Sequence, residues 1–328
     1  MTPLYFTKPI QIVFAADANY AMPLAVAMCS AARSCDISHR IIFNVLYDNF
    51  DSDLKERVQV SLASTGRSNA TINWIRTGTG SLAQLKIANS YLTPMIYARL
   101  LIPQVLGVEV SRALYLDCDI VVLDNIAVLW ETNLDHQVIG AVTDHIGNVS
   151  SRRGLLNYRE LGMSPTAKYF NSGVLLIDLD KWRVKKISER AFEYVRTYRD
   201  IIQMEDQEAL NAVLYGAWKE LPIQWNWQIE HRKQRKRTLQ STCQTAGEKR
   251  SIVHFTTEEK PWRPGCDYEE RQLFFEHLDH TEWAGWRVPL TKELSGRVRR
   301  SIQDVRNTCG RVLKPIRQKL HLSHPDAR

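Results

Sequence analysis

Apolar and polar positions alternate along this chain in blocks that alternate strand with helix. Ile10-Gln-Ile-Val-Phe-Ala-Ala16 reads as a buried strand, the polar Asp17-Ala-Asn-Tyr20 as a loop, and the Ala-rich Met22 to Arg33 as a helix. A strand over Arg40 to Leu46 follows, then a helix capped by Asp51 or Ser52 and reaching about Ala63, then a strand over Ala70 to Ile75. Thr93-Pro94 opens another helix that carries Tyr97-Ala-Arg99-Leu, with Pro in its first turn. Beyond the centre, Val138 to Val142 reads as a strand with Asp144 at its end, and Tyr169 to Asp178 as another. Asp180 caps a helix to about Tyr198, and Glu205-Asp-Gln-Glu208 leads a helix ending near Tyr215. Trp218 to Pro222 and Arg250 to Phe255 are short strands, the region of Trp225 and Trp227 is irregular, and Lys260 to Trp286 is Trp-rich loop and helix. Strands alternating with helices imply a mainly parallel sheet with helices on both faces.

The stretch around which this order is organised is Arg112-Ala-Leu-Tyr-Leu-Asp-Cys-Asp-Ile-Val-Val-Leu123. It predicts a buried strand that delivers Asp117 and Asp119 at its carboxyl end and then continues briefly. Alternation turns both carboxylates to one side and Cys118 to the other, and two like charges held close repel unless a cation sits between them. Carboxylates are hard ligands suited to Mn²⁺ or Mg²⁺, which would in turn hold a diphosphate. Asp-x-Asp is common at solvated strand ends, so the company it keeps must decide. On spacing alone, Arg99 is a solvated helix charge and His254 a structural histidine.

Composition narrows the class. The chain has 328 residues, enough for one large domain or two with a real core. The early apolar run is too short to cross a membrane and unlike a signal peptide, and the cysteines (Cys29, Cys35, Cys118, Cys243, Cys266, Cys309) include no Cys-x-x-Cys pair. Reduced thiols and a cytoplasmic location are therefore expected. The net charge of +7 is local: between Arg287 and Lys319 ten Lys and Arg face Glu293 and Asp304, so this segment carries +8 and the rest −1. A second basic run spans His231 to Arg237.

Taken together, Phe14-Ala-Ala-Asp17-Ala-Asn19-Tyr20, Tyr97-Ala-Arg99-Leu, Leu116-Asp117-Cys-Asp119, Phe170-Asn171-Ser-Gly173, Glu205-Asp206-Gln207 and His254-Phe with Lys260-Pro-Trp262 follow the order and approximate spacing of glycosyltransferase family 8. The chain resembles that family over about residues 10 to 265, and its bacterial lipopolysaccharide galactosyl- and glucosyltransferases in particular. The resemblance implies a GT-A type nucleotide-sugar-binding domain, placed over residues 1–285, and the charge and periodicity beyond it read as a helical basic tail over 286–328. It implies Asp117, Asp119 and His254 as ligands of Mn²⁺, with Mg²⁺ as the alternative. Asp17 would accept the uracil N–H and Tyr20 stack on the base, with Ala15, Asn19 and Cys118 also at the nucleotide. Arg99 and Lys260 would face the nucleotide sugar and its diphosphate, and Asp144, Asn171, Asp206 and Gln207 the donor sugar. The activity implied is retaining transfer of a hexose from UDP-galactose or UDP-glucose to a saccharide hydroxyl. Gln207 would lie nearest the anomeric carbon, and Asp206 is the alternative nucleophile. The acceptor would be a lipopolysaccharide or other glycolipid, or, in the self-glycosylating branch, a protein. One departure stands out: where the family has Gly-Pro before the lysine, this chain has Thr257-Glu258-Glu259. Acids beside a diphosphate are tolerated only if they point outward.

A sugar nucleotidyltransferase would need a Gly-rich phosphate loop after the first strand, which Asp17-Ala-Asn-Tyr20 is not. A nucleic-acid-binding protein would explain His231 to Arg237 beside Trp225 and Trp227 but not the acid pair, so no nucleic-acid partner is expected. In the tail, Val298, Ile302, Val305, Cys309, Val312, Ile316 and Leu320 draw one apolar stripe, broken near Gly310 and Pro315, with arginines and lysines off it. Such a helix can lie in an anionic membrane surface, the preferred reading, which predicts a peripheral enzyme on the cytoplasmic face; the alternative is a terminal helix packed on the catalytic domain with its charges solvated.

Overall fold

The structure is a computed structural model and describes residues 8–78, 82, 84–85, 87–89, 92–229 and 249–301. The basic run from His231 to Arg237, Cys243, Cys309 and the tail from Ile302 onward lie outside the described residues. A seven-stranded sheet has the order β3-β2-β1-β4-β7-β6-β8, formed by β1 (Ile10–Asp17), β2 (Ile41–Asp48), β3 (Ala70–Arg76), β4 (Arg112–Leu116), β6 (Ile139–Asn148), β7 (Lys168–Asp178) and β8 (Trp218–Glu220). Its strands pair in parallel except around β7, which is antiparallel to both β4 and β6. The small sheet consists of β5 (Ile120–Val122), β9 (Trp227–Gln228) and β10 (Ile252–His254), with β10 in the middle.

Buried side chains on both faces explain why the strands read as near-continuous apolar runs. On β1, Ile10, Ile12, Phe14 and Ala16 enter one core cluster with α1 (Ala21–Ser34), while Val13 enters the other. Helix α1 also packs against α2 (Ser52–Ala63), α8 (Arg271–Leu278) and β5, which is why its small side chains are nearly all buried. The opposite face is covered by α6 (Ile187–Thr197) and α7 (Glu205–Val213), with α3 (Ile102–Val105) and α5 (Leu179–Val184) beside them. A short α4 (Ile126–Trp130) is capped by the side chain of Asn125.

Four expected elements differ in detail. The acid-bearing strand is two strands: β4 stops at Leu116, and after Asp119 the chain resumes as β5 in the other sheet, antiparallel to β10. The helix opened by Thr93-Pro94 is 3-10 over Pro94–Leu101 before α3 begins. The helix expected from Asp180 is capped by Asp178, whose side chain accepts from the Lys181 N–H, and it breaks at Lys186, which has φ +51° and divides α5 from α6. Strand β6 runs on to Asn148 with register shifts after Ala141 and after Thr143, so Asp144 sits within an irregular strand instead of at its end. Shifts of this kind re-aim a side chain. Asp51, of the two candidates, caps α2 by accepting from the Leu54 N–H.

Helix 290–301 follows α8 and packs on it. Glu293 takes the Arg271 guanidinium with both oxygens, at 2.9 and 3.0 Å. Among the described residues no helix is long and apolar enough to cross a membrane.

Candidate active site

Strand order 3-2-1-4 reverses direction at the β1/β4 neighbour pair, and open α/β sheets bind ligands in the crevice beyond the carboxyl ends of such strands. Asp17 ends β1 and Asp117 follows β4, so the topology alone brings the two expected acidic motifs to one crevice. A cleft of about 450 Å³ opens there. Its lining includes Ala15, Asp17, Tyr20, Arg99, Asp117, Cys118, Asp119, Asp144, Asn171, Asp206, Gln207, His254 and Lys260. Asn19 does not line it: that residue is exposed on the 3-10 turn Ala18–Tyr20, and its backbone N–H donates to Asp17 Oδ1 at 2.9 Å. The other Asp17 oxygen accepts from Thr93 Oγ1 at 3.0 Å. Tyr20 is backed edge-on by Trp262, ring centroids 5.9 Å apart.

Asp117 and Asp119 lie at the break between the two sheets, and the antiparallel β5/β10 pairing sets His254 opposite Ile120. The ligand atoms of Asp117, Asp119 and His254 all fall within 4.8 Å of one another. His254 Nε2 is 3.2 Å from Asp119 and 3.6 Å from Asp117. Gly173 makes the convergence possible, because a Cβ there would stand 2.2 Å from the His254 ring and 2.6 Å from an Asp117 oxygen. Cys118 turns the other way, its Sγ 3.4 Å from the Ala15 carbonyl oxygen. Two carboxylates and an imidazole suit Mn²⁺. The Lys260 ammonium, which sits on Asp119 and donates to the Phe255 carbonyl at 2.6 Å, supplies the positive charge this acidic pair demands. Burial would raise the Asp119 carboxyl, but Lys260 and His254 outweigh it and hold it well below the usual carboxylate range.

Arg99 is no solvated helix charge. Its buried guanidinium donates to Asp117 at 2.9 Å, pairs with Asp206 at 3.0 Å, and donates to the carbonyl and hydroxyl of Ser172 at 2.7 and 3.0 Å. All three nitrogens are engaged, so it braces the acids at the wall of the cleft. Burial raises the Asp206 carboxyl to about 7, with the Arg99 charge only partly opposing it.

Beyond the acids, a polar relay runs through the floor of the cleft. Asn171 Nδ2 donates to Asp144 at 2.9 Å, Asn226 Nδ2 donates to Asn171 Oδ1 at 2.8 Å, and Asn226 Oδ1 lies 2.8 Å from His254 Nδ1. An ionised carboxylate only accepts, so Asp144 fixes the polarity of both amides and leaves Asn226 Oδ1 as the acceptor. Burial would raise Asp144, but His145, Asn171 and the Ile146 N–H hold it lowered. His254 Nδ1 is therefore the donor to Asn226, and Nε2 is the ring atom that faces the two aspartates, free to turn to an ion between them. Gln207 joins the same carboxylate at 3.2 Å while its Oε1 accepts from the Ser172 N–H at 3.0 Å. Asn226 belongs to no motif read from the sequence; it lies in the 3-10 turn Ile223–Asn226, between two tryptophans in a stretch without periodicity.

A model of glycosyl transferase family 8 matches residues 11–266. The chain belongs to this family. Among its relatives, General stress protein A of Bacillus subtilis (strain 168) is 30% identical over 281 residues, covering 84% of this chain and 94% of the relative. The lipopolysaccharide 1,2-glucosyltransferase of Escherichia coli (strain K12) is 26% identical over 278 residues, covering 84% and 79%. The crystal structure of galactosyltransferase LgtC in complex with donor and acceptor sugar analogues superposes with TM-score 0.71 at 27% identity, covering 86% of this chain and 98% of LgtC. The chain is thus a family 8 glycosyltransferase with the GT-A fold, and the Asp-Asp-His cluster is compatible with the metal dependence general to that fold.

Proposed function

We propose that this protein is a metal-dependent retaining hexosyltransferase that uses UDP-galactose or UDP-glucose and extends a lipopolysaccharide or other glycolipid. The observation that carries the reading is the convergence of Asp117, Asp119 and His254 at the switch point of the sheet, beside Lys260. The named activities of the E. coli relative and of LgtC support a hexose donor and a saccharide acceptor. Asp117, Asp119 and His254 would hold Mn²⁺, which when bound supplies a Lewis acid for the diphosphate leaving group. Asp17 and Tyr20 would hold uridine, and Lys260 would share its charge with the diphosphate. Asp144, Asn171 and Gln207 would grip the sugar. Asp206 is the alternative nucleophile, with its carboxyl held by Arg99 and by the Ser172 hydroxyl at 3.1 Å. Gln207 carries an amide, a poor nucleophile, so substitution on the donor's own face, with a leaving-group oxygen accepting the acceptor's proton, fits the residues better than a covalent intermediate. Incubation with radiolabelled UDP-sugars tests the assignment. Transfer or slow hydrolysis in Mn²⁺ should vanish in EDTA and in Asp117→Asn or Asp119→Asn, and activity persisting in either variant would refute it.

We also place the enzyme peripherally on an anionic membrane face. Leu290, Leu294 and Val298 recur at steps of four on helix 290–301 and are 73%, 55% and 60% exposed, with Lys292, Arg297 and Arg299 on the same helix. Each Lys or Arg near such a surface is worth about 1 kcal/mol. The protein should pellet with anionic vesicles at low salt and be released at high salt. Changing the three apolar residues to Asp should leave it in the supernatant, and equal partitioning would refute the placement.

A further inference from the structure

Thr257-Glu258-Glu259 puts two acids immediately before the lysine of the donor site. Thr256, Thr257, Glu258 and Lys260 line the cleft, whereas Glu259 is turned away from it. Its carboxylate is taken at 2.5 Å by Arg300, which arrives from helix 290–301, forty-one residues further along the chain. The same guanidinium pairs with Asp267 at 3.0 Å and donates to the Gly265 carbonyl at 2.6 Å. Behind it the two backbones touch: a Cβ on Gly296 would stand 2.7 Å from the Pro264 carbonyl carbon, and Gly265 adopts φ +80° there. A single exposed ion pair would mean little. Here one guanidinium binds three groups of one loop while the helix backbone rests on that loop, and the loop carries Lys260.

We infer that helix 290–301 is a working part of the donor site, in which Arg300 is a positioning residue: it holds the 256–260 turn so that Lys260 meets the diphosphate, and it draws the Glu259 carboxylate outward, away from that anion. The inference rests on the UDP-sugar reading above. Without Arg300, Glu259 loses the guanidinium that draws it outward, one residue from the lysine that must face another anion. The turn can then rotate, and donor binding suffers more than turnover.

The test measures UDP affinity by calorimetry in Mn²⁺, together with KM and kcat for donor hydrolysis, in wild type, Arg300→Gln, Glu259→Gln and the double variant. Lys292→Gln serves as a control, since it removes an exposed cation of the same helix that makes none of the contacts to the 259–267 loop named above. Arg300→Gln should bind UDP about tenfold more weakly, with KM raised more than kcat is lowered. The double variant should recover part of that loss, and Lys292→Gln should match wild type. Thermal unfolding run in parallel separates packing from positioning. A lower melting temperature in Arg300→Gln with UDP affinity within twofold of wild type would overturn the inference, as would a double variant no better than Arg300→Gln. Wild-type protein that binds no UDP would instead overturn the donor reading itself.

Discussion

His254 can offer a lone pair to an ion only if its proton sits on the far nitrogen, and the Asp144–Asn171–Asn226 relay puts it there. Asn226→Leu keeps the branched outline and removes the acceptor, so it should weaken Mn²⁺ binding to the donor-free protein about 10- to 100-fold by calorimetry. Unchanged affinity would mean the ring is oriented by its walls alone. Asp206 supports a second measurement at this scale. Its carboxyl is raised to about 7 in the folded protein, so the stability it contributes is present below the ordinary carboxyl range and is lost as pH rises through about 7. Asp206→Asn lacks that dependence, and its stability relative to wild type should grow by up to about 4 kcal/mol between about pH 4 and pH 8 in urea titrations. Parallel curves at the two pH values would show that Asp206 is ionised throughout. Residues inside motifs were legible in the sequence because spacing marks them. Asn226 was not, since a lone amide in an aperiodic stretch has no pattern to stand out from, and Arg99 misled because spacing on a helix does not reveal what covers it.

Elements were legible where one periodicity held from end to end, as in β1, α1, β2 and α2. The sequence is silent about which sheet a strand joins, so the apolar run through Asp117 and Asp119 concealed the passage from β4 to β5. Amphipathic pattern likewise continues across Lys186, where the backbone turns left-handed at φ +51° between α5 and α6. For a residue with a Cβ that conformation costs roughly 1 kcal/mol, and Lys186→Gly should raise stability by about that amount in chemical denaturation. A loss instead would show that the lysine side chain contributes more than the strain it bears.

At the scale of the molecule, the order of strands places the cleft: the crevice lies where the 3-2-1-4 order reverses. Parallel pairing was inferable from alternating strands and helices, but the antiparallel insertion of β7 was not, since it depends on long-range partners. If Asp17, at the end of β1, and Tyr20, in the turn after it, read the base as proposed, UDP with Mn²⁺ should raise the melting temperature and GDP should not. At about a hundred times its Kd a ligand adds about 2.7 kcal/mol to the native state. Equal protection by both nucleotides would count against Asp17 as the uracil acceptor.

Glu259 and Arg300 are far apart in the gene yet form one electrostatic unit. Either change alone should disturb the loop more than both together do. Descent should therefore have handled them as a single character. In sequences that carry the Thr-Glu-Glu form of this turn, an arginine or lysine should occupy the position of Arg300, and lineages that restore Gly-Pro should be free to vary it.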